Sequence, residues 1–175
     1  RCVDSVLNES TYKNYEIIIV ENNSEEKSIF DYDEELKKNE KVKIVTYEGT
    51  FNYSKINNFA VQHATGEYLL FLNNDTEVIT AEWMENMLMY AQRSDIGAVG
   101  AKLYYGDHTI QHAGIVLGLG AHRTAGHTHY KIPVQNLGYM GRLCYAQNVT
   151  AVTGACLMLK KRLFDEVGGL EEGFA

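Results

Sequence analysis

Proline is almost absent from this chain, one residue in 175, and no Ser/Gly-rich run, low-complexity tract or internal repeat accompanies it. Nothing in the composition therefore marks a linker. One domain over residues 1–175 is the expectation, and a hydrophobic content of 45% is enough for a sizeable core. Cysteine is equally sparse. Cys2, Cys144 and Cys156 are odd in number and far apart, which excludes a disulfide framework and suits reduced thiols in a cytosolic setting. No apolar segment approaches the ~20 residues of a membrane span, and the first residues carry no signal-peptide pattern. A cytoplasmic location follows as the expectation. Basic excess is missing too: 16 Lys and Arg face 23 Asp and Glu, for a net charge of −7. Without a basic stripe to neutralise phosphates, nucleic acid is excluded as a partner, and any anionic ligand must be met by local groups.

What the chain does contain is a set of apolar runs that stop at polar residues. Tyr68-Leu69-Leu70-Phe71-Leu72 follows Gly66-Glu67 and ends abruptly at Asn73-Asn74-Asp75-Thr76. A short apolar run with such boundaries reads as a strand buried on both faces. In open α/β sheets ligands bind outside the carboxyl ends of strands, so Asp75 is a candidate ligand for a hard divalent cation, Mg²⁺ or Mn²⁺. Tyr15-Glu16-Ile17-Ile18-Ile19-Val20 repeats the design and ends at Glu21-Asn22-Asn23-Ser24.

The order of elements points to an α/β fold. Val3, Val6 and Leu7 fall on one helical stripe. Ser24 reads as an N-cap, with Glu25 and Glu26 in the first turn of a helix running to about Lys38. Val42–Thr46 reads as a strand, Tyr53–Ala64 as a helix stopped by Thr65-Gly66, and Ala81–Gln92 as a helix whose Trp83, Met84 and Met87 belong to the core. Alternation of this kind implies a mainly parallel sheet covered by helices. Beyond Gly97 the texture changes. Ala98–Leu103 and Thr109–Leu117 are short strand-like runs, Gly118–Gly141 is a loop rich in Gly and His, and Thr150–Leu159 is β-prone ahead of a helix from Lys161 to Val167. Gly168-Gly169 end that helix, and Leu170–Ala175 have no evident packing partner.

Taken in order, Tyr15–Ser24, Phe51–Asn58, Gly66–Val78, Gln111-His112-Ala113-Gly114, Ala151–Cys156 and Val167–Leu170 resemble the donor-binding part of a family 2 glycosyltransferase. The group in question extends bacterial surface polysaccharides such as rhamnose-containing O-antigens. The resemblance implies a GT-A fold, a three-layer α/β/α sandwich, with residues 1–95 as the nucleotide-binding half and 96–175 as the acceptor-side half. It also implies transfer of a sugar from a UDP- or dTDP-sugar donor to a saccharide or lipid-linked saccharide acceptor, with inversion, aided by Mg²⁺ or Mn²⁺. Peripheral membrane contact at the inner face of the plasma membrane goes with such acceptors.

The resemblance also implies roles, residue by residue. The family's Asp-any-Asp motif falls on Asn73-Asn74-Asp75, where only the last acid is present. Asn73 then faces a ribose hydroxyl, Asn74 stands beside the donor, and Asp75 holds the metal. The nucleobase-facing Asp of the family is replaced by Glu21, with Asn22 and Asn23 beside it; a longer carboxylate can still accept from a uracil or thymine imide N–H. Lys55 and Asn57 match positions near the nucleotide, and Gly154 a turn close to the donor sugar, where the lack of a Cβ lets backbone approach ligand. Two family features do not appear: the first strand, expected before Arg1, and the catalytic base, expected beyond Ala175. A longer enzyme is implied, with little activity expected from this segment alone.

Two other function classes stay open, a non-catalytic nucleotide-sugar binding module and a nucleotidyltransferase, although the latter wants a Gly-rich phosphate loop that is not seen. The crowd of His108, His112, His122, His127 and His129 raises zinc. Neither Cys144 nor Cys156 sits in a CxxC pair, however, so His112 is expected in the core with its ring nitrogens satisfied.

Overall fold

A computed structural model describes residues 1–119 and 124–173. The chain is mixed α/β and divides into two compact units, one of residues 1–11 and 70–159, the other of residues 12–69 and 160–175. The halves expected on either side of residue 95 are functional divisions and cut across both units. Among the described residues no helix is long and apolar enough to cross a membrane.

In the unit of residues 12–69 and 160–175, β1 (Ile17–Glu21) and β2 (Val42–Thr46) pair in parallel, Ile17 opposite Val42 and Glu21 opposite Thr46. Parallel neighbours need a crossover, and α2 (Lys27–Leu36) supplies it. This helix begins later than Ser24 suggests. The Ser24 amide donates to Glu21 Oε1 at 2.6 Å, which keeps the chain in a turn, and Glu26 at the helix start makes no side-chain cap bond. In contrast α3 (Tyr53–Val61) is capped by Asn52, whose Oδ1 accepts from the Lys55 amide. The loop after α3 is tied back to the start of β1, because Glu16 Oε1 accepts from Thr65 N, Thr65 Oγ1 and Gly66 N. Leu36, Val42, Val61, Leu69 and Phe164 form the buried apolar set.

The helix α5 (Lys161–Glu166) ends at Gly168 and Gly169, both with φ above +80°, as the Gly-Gly pair implies. The segment from Leu170 to Glu172 does have partners. Asn58 of α3 donates to Leu170 O and Glu172 Oε1 and accepts from Leu170 N, while Asn52 donates to Glu172 O. Asparagine side chains 112 to 120 positions away hold this segment, which apolar periodicity does not reveal. Phe174 and Ala175 lie outside the described residues.

The other unit holds α1 (Cys2–Glu9), most of β3 (Tyr68–Leu72), α4 (Trp83–Ala91), β4 (Ala98–Gly100), β5 (Leu103–Tyr104), β6 (Ile110–His112), β7 (Ile115–Leu117), β8 (Ala125–His127) and most of β9 (Cys156–Lys160). The sheet order is β3-β9-β4, with β4 antiparallel to β9; β5–β6 and β7–β8 are antiparallel pairs. Parallel pairing is thus seen at β1–β2, where the βα repeat operates. Strands β4 to β8 have two or three residues each, and the short connections within β5–β6 and β7–β8 suit antiparallel neighbours.

Three expected strands are interrupted. Ala98–Leu103 breaks at Ala101-Lys102, between β4 and β5. Thr109–Leu117 breaks at Ala113-Gly114, and only Cys156 onward of Thr150–Leu159 is a strand, Ala151 making one bridge to Ile115. Phe71, Met84, Met87, Ile110, Cys156 and Met158 make the core, as the α4 pattern predicts for its methionines. Trp83 Nε1 donates to Ser10 Oγ at 2.9 Å.

Candidate functional site

The residues after β3 form a tight turn. Thr76 Oγ1 donates to Asn73 O at 2.8 Å, Thr76 N reaches the same carbonyl at 3.4 Å, and Cys2 Sγ of α1 lies 3.5 Å from it. Such a threonine closes a turn by replacing a backbone donor. α1 secures the rest of the segment: Ser5 Oγ accepts from Val78 N, and Arg1 pairs with Glu77 at 2.8 Å. With the backbone held from below, Asn74 and Asp75 are exposed and Asn73 is half-buried. Asp75 has no hydrogen-bond or ion-pair partner among the described residues. The sequence gives no sign that α1 anchors this turn; the small polar residues Cys2, Ser5 and Thr76 are the only trace of it.

The same turn is joined to Gly154. Asn73 N donates to Ala155 O at 3.0 Å, and Ala155 N donates to Thr153 Oγ1 at 3.3 Å. Motifs some 80 positions apart in sequence are therefore adjacent at one strand end, with Gly154 half-buried in the turn before β9. A hard cation completed by phosphate oxygens needs only one or two protein carboxylates, and Asp75 has the exposure and the unspent oxygens for that. Among the described residues, no three His, Cys, Asp or Glu side chains gather to hold a metal by themselves.

In the other unit the β1 end is built differently from the simplest expectation. The Glu21 carboxylate is engaged by the Ser24 amide. Asn22 Nδ2 donates to Tyr47 O and Gly49 O at 2.9 and 3.0 Å, and Asn23 Nδ2 donates to Gly49 O at 2.7 Å from a left-handed backbone, φ 57°. Both amide nitrogens thus lace the loop after β1 to the loop after β2. Their carbonyl oxygens remain as acceptors. Asn22→Ala is expected to cost about 1 kcal/mol, the net worth of hydrogen bonds whose partners can turn to water, read as a lowered urea midpoint.

Lys55 is exposed on α3, and Asn57 bonds back to Tyr53 O at 2.8 Å. Two positions apart on a helix, they do not share a face, so the structure does not bring them together.

The histidines separate. His112 is 1% exposed, with Nδ1 3.0 Å from His127 Nδ1 and Nε2 3.5 Å from the Thr153 amide, so it is the core histidine expected. Burial, helped by the adjacent His127, lowers its pKa to about 4. The unfolded chain, with a normal imidazole near 6.5, therefore binds a proton that the folded chain refuses between those values. Stability contributed by neutral His112 is present above about pH 6.5 and is lost as pH falls toward 4. Urea midpoints from pH 7 to 4 should show this fall, flattened in a His112→Gln variant. His127 ends β8 while His129 follows in a left-handed turn at φ 57°, so the two do not share a strand face. His108 lies in another turn, and His122 is outside the described residues.

Comparison with known proteins identifies a family. The sequence profile of glycosyl transferase family 2 matches residues 1–168. The uncharacterized protein y4gI of Sinorhizobium fredii is 44% identical over 171 residues, 97% of this chain and 19% of that protein. The O-antigen biosynthesis protein RfbC of Myxococcus xanthus is 39% identical over 173 residues, 98% of this chain and 13% of that protein. The chain spans less than a fifth of the length of these relatives.

Proposed function

This chain belongs to glycosyl transferase family 2, and from that membership we propose that it transfers a sugar from a UDP- or dTDP-sugar to a hydroxyl of a saccharide or lipid-linked saccharide, with inversion, in the synthesis of a cell-surface polysaccharide. Family 2 implies the GT-A nucleotide-sugar transferase fold; the three-layer sandwich is part of the proposal, whereas the expected mainly parallel pairing is met at β1–β2 and replaced by antiparallel pairing at β4–β9, β5–β6 and β7–β8. So are a cytoplasmic location and peripheral contact with the inner face of the plasma membrane.

The observation that carries this reading is the exposed, unpartnered carboxylate of Asp75, on a turn fixed by Cys2 and Thr76 and bonded to the Gly154 turn through Asn73 and Ala155. Asp75 holds Mg²⁺ or Mn²⁺, which when bound stabilises the negative charge that grows on the departing diphosphate. Asn73 and Asn74 bond the ribose and diphosphate, and Gly154 lets backbone approach the donor sugar. Glu21, with the carbonyl oxygens of Asn22 and Asn23, faces the base. Lys55 supplies a cation for the nucleotide, and Asn57, whose amide nitrogen bonds back to Tyr53 O, keeps its carbonyl oxygen as an acceptor for it.

Calorimetric titration of the chain with UDP-glucose, dTDP-rhamnose, ATP and CTP, each with Mn²⁺ and with chelator, tests the reading. One of the nucleotide sugars is expected to bind only with the metal. Binding of a nucleoside triphosphate in preference to both sugars would replace the proposal by a nucleotidyltransferase. Metal-dependent sugar binding by a longer version of the protein that never turns over would leave only a binding module.

A further inference from the structure

The Gln111-His112-Ala113-Gly114 motif has no role in the donor-binding reading above, yet it packs against the segment that leads into Gly154. Ile115 N donates to Ala151 O at 2.9 Å, and a Cβ on Gly114 would lie 2.6 Å from Val149 Cγ1. His112 is the point where the motif meets the turn itself. The Thr153 N–H can only donate, so His112 Nε2, 3.5 Å away, is the acceptor. A neutral ring that accepts at Nε2 carries its proton on Nδ1. That proton points at His127 Nδ1, 3.0 Å away, which must accept and hold its own proton on Nε2. Beyond Thr153 the chain of bonds continues through its Oγ1 to Ala155 N, and from Ala155 O to Asn73 N.

We propose that His112, held as the Nδ1–H tautomer by His127, is a positioning residue that fixes the Thr153-Gly154-Ala155 turn against the end of β3 and so sets where Asn73 and Asp75 stand. Its relevance to sugar transfer rests on the donor-binding reading above; the tie between ring and turn does not. His127 is the exposed end of this relay and His112 its buried centre. The low pKa of His112 keeps it neutral, as an acceptor at Nε2 requires. The tautomer matters more than the ring's bulk: a proton moved to Nε2 would set one donor against another at Thr153.

Long-range ¹⁵N–¹H spectra of the imidazoles, with amide assignments, test the tie. The wild-type chain should show His112 protonated at Nδ1 and bare at Nε2. His112→Phe, which fills the space without an acceptor, should shift the Thr153, Ala155 and Asn73 amides. His112→Gln, with an amide oxygen near the Nε2 position, should return them toward wild type. His127→Phe, at an exposed ring that can be changed without opening the core, should let both His112 tautomers appear, and His127→Asn should restore the single one. In transfer assays with UDP-glucose or dTDP-rhamnose on a longer version of the protein, His112→Phe should raise the donor KM about tenfold and leave kcat within about threefold, whereas mere loss of folded protein would lower kcat alone. Nε2–H at His112, or a His112→Phe variant with unmoved amides and unchanged donor KM, would overturn the proposal. The predicted tautomer and amide shifts in a protein that binds neither sugar would uphold the tie and refute the transfer reading.

Discussion

Asp75→Ala is expected to abolish Mn²⁺-dependent donor binding and to lower transfer about a hundredfold or more, the scale on which loss of one group that stabilises developing charge is felt. The expectation follows from what the carboxylate does not do. It is exposed and has no partner among the described residues, so its removal withdraws no structural bond. Folding stability should stay within about 0.5 kcal/mol of wild type. Asp75→Asn sharpens the test, because the amide keeps the shape and one oxygen but loses the charge that a hard cation requires. Both variants should unfold at the wild-type temperature while losing the heat of metal-dependent binding. Undiminished transfer by Asp75→Ala at saturating Mn²⁺ would remove this residue from the site and leave the proposed function without its central group.

Gly114→Ala should cause the largest loss of stability, about 3 kcal/mol or more. Two effects add. Gly114 has φ +108°, outside the regions that residues with a side chain favour, a strain of about 1–3 kcal/mol. Its added methyl would also stand 2.6 Å from Val149 Cγ1 and 3.1 Å from Val149 Cβ, and forcing a packed contact apart costs about 1–3 kcal/mol. Val149 is branched at Cβ and cannot swing aside freely. The control is Gly97→Ala, where a new Cβ meets nothing within 4 Å and the change should be close to neutral. Urea unfolding of the two variants distinguishes the cases, and equal midpoints would mean that the break between β6 and β7 does not depend on this glycine.

The sequence was most legible where structure is local. β2 has the limits read from its pattern, β3 coincides with the Tyr68–Leu72 run, and β1 differs only by moving from Tyr15–Val20 to Ile17–Glu21. The core methionines of α4 and the buried His112 follow from spacing and composition. Boundaries failed where a polar side chain intervened. Ser24 has the residue type of an N-cap, but its amide is taken by Glu21, and α2 starts three residues later at Lys27. Periodicity joins Thr109–Leu117 into one run because it does not see that Gly114 turns the chain. At the candidate site, Asp75 was readable as an acid at a strand end, whereas Gly154, inside the run Thr150–Leu159 by pattern, came only from the family resemblance. The anchoring of Asn73 by Cys2 was not readable, because a thiol inside a short amphipathic helix looks like any small core residue.

From the amino-acid order alone come the family, the α/β alternation and the acid that ends β3, because a strand or helix records its burial in residues only a few positions apart. Tertiary structure decided what the polar atoms do with their bonds. Asn22 and Asn23 give their amides to the loop after β2, Asn58 holds Leu170 at a separation of 112 residues, and His112 reaches Thr153 across 41. A hydrogen bond is satisfied by distance and direction in space, and its partner can come from anywhere along the chain. Residue types announce that such a bond is needed, and only the folded chain determines which group makes it.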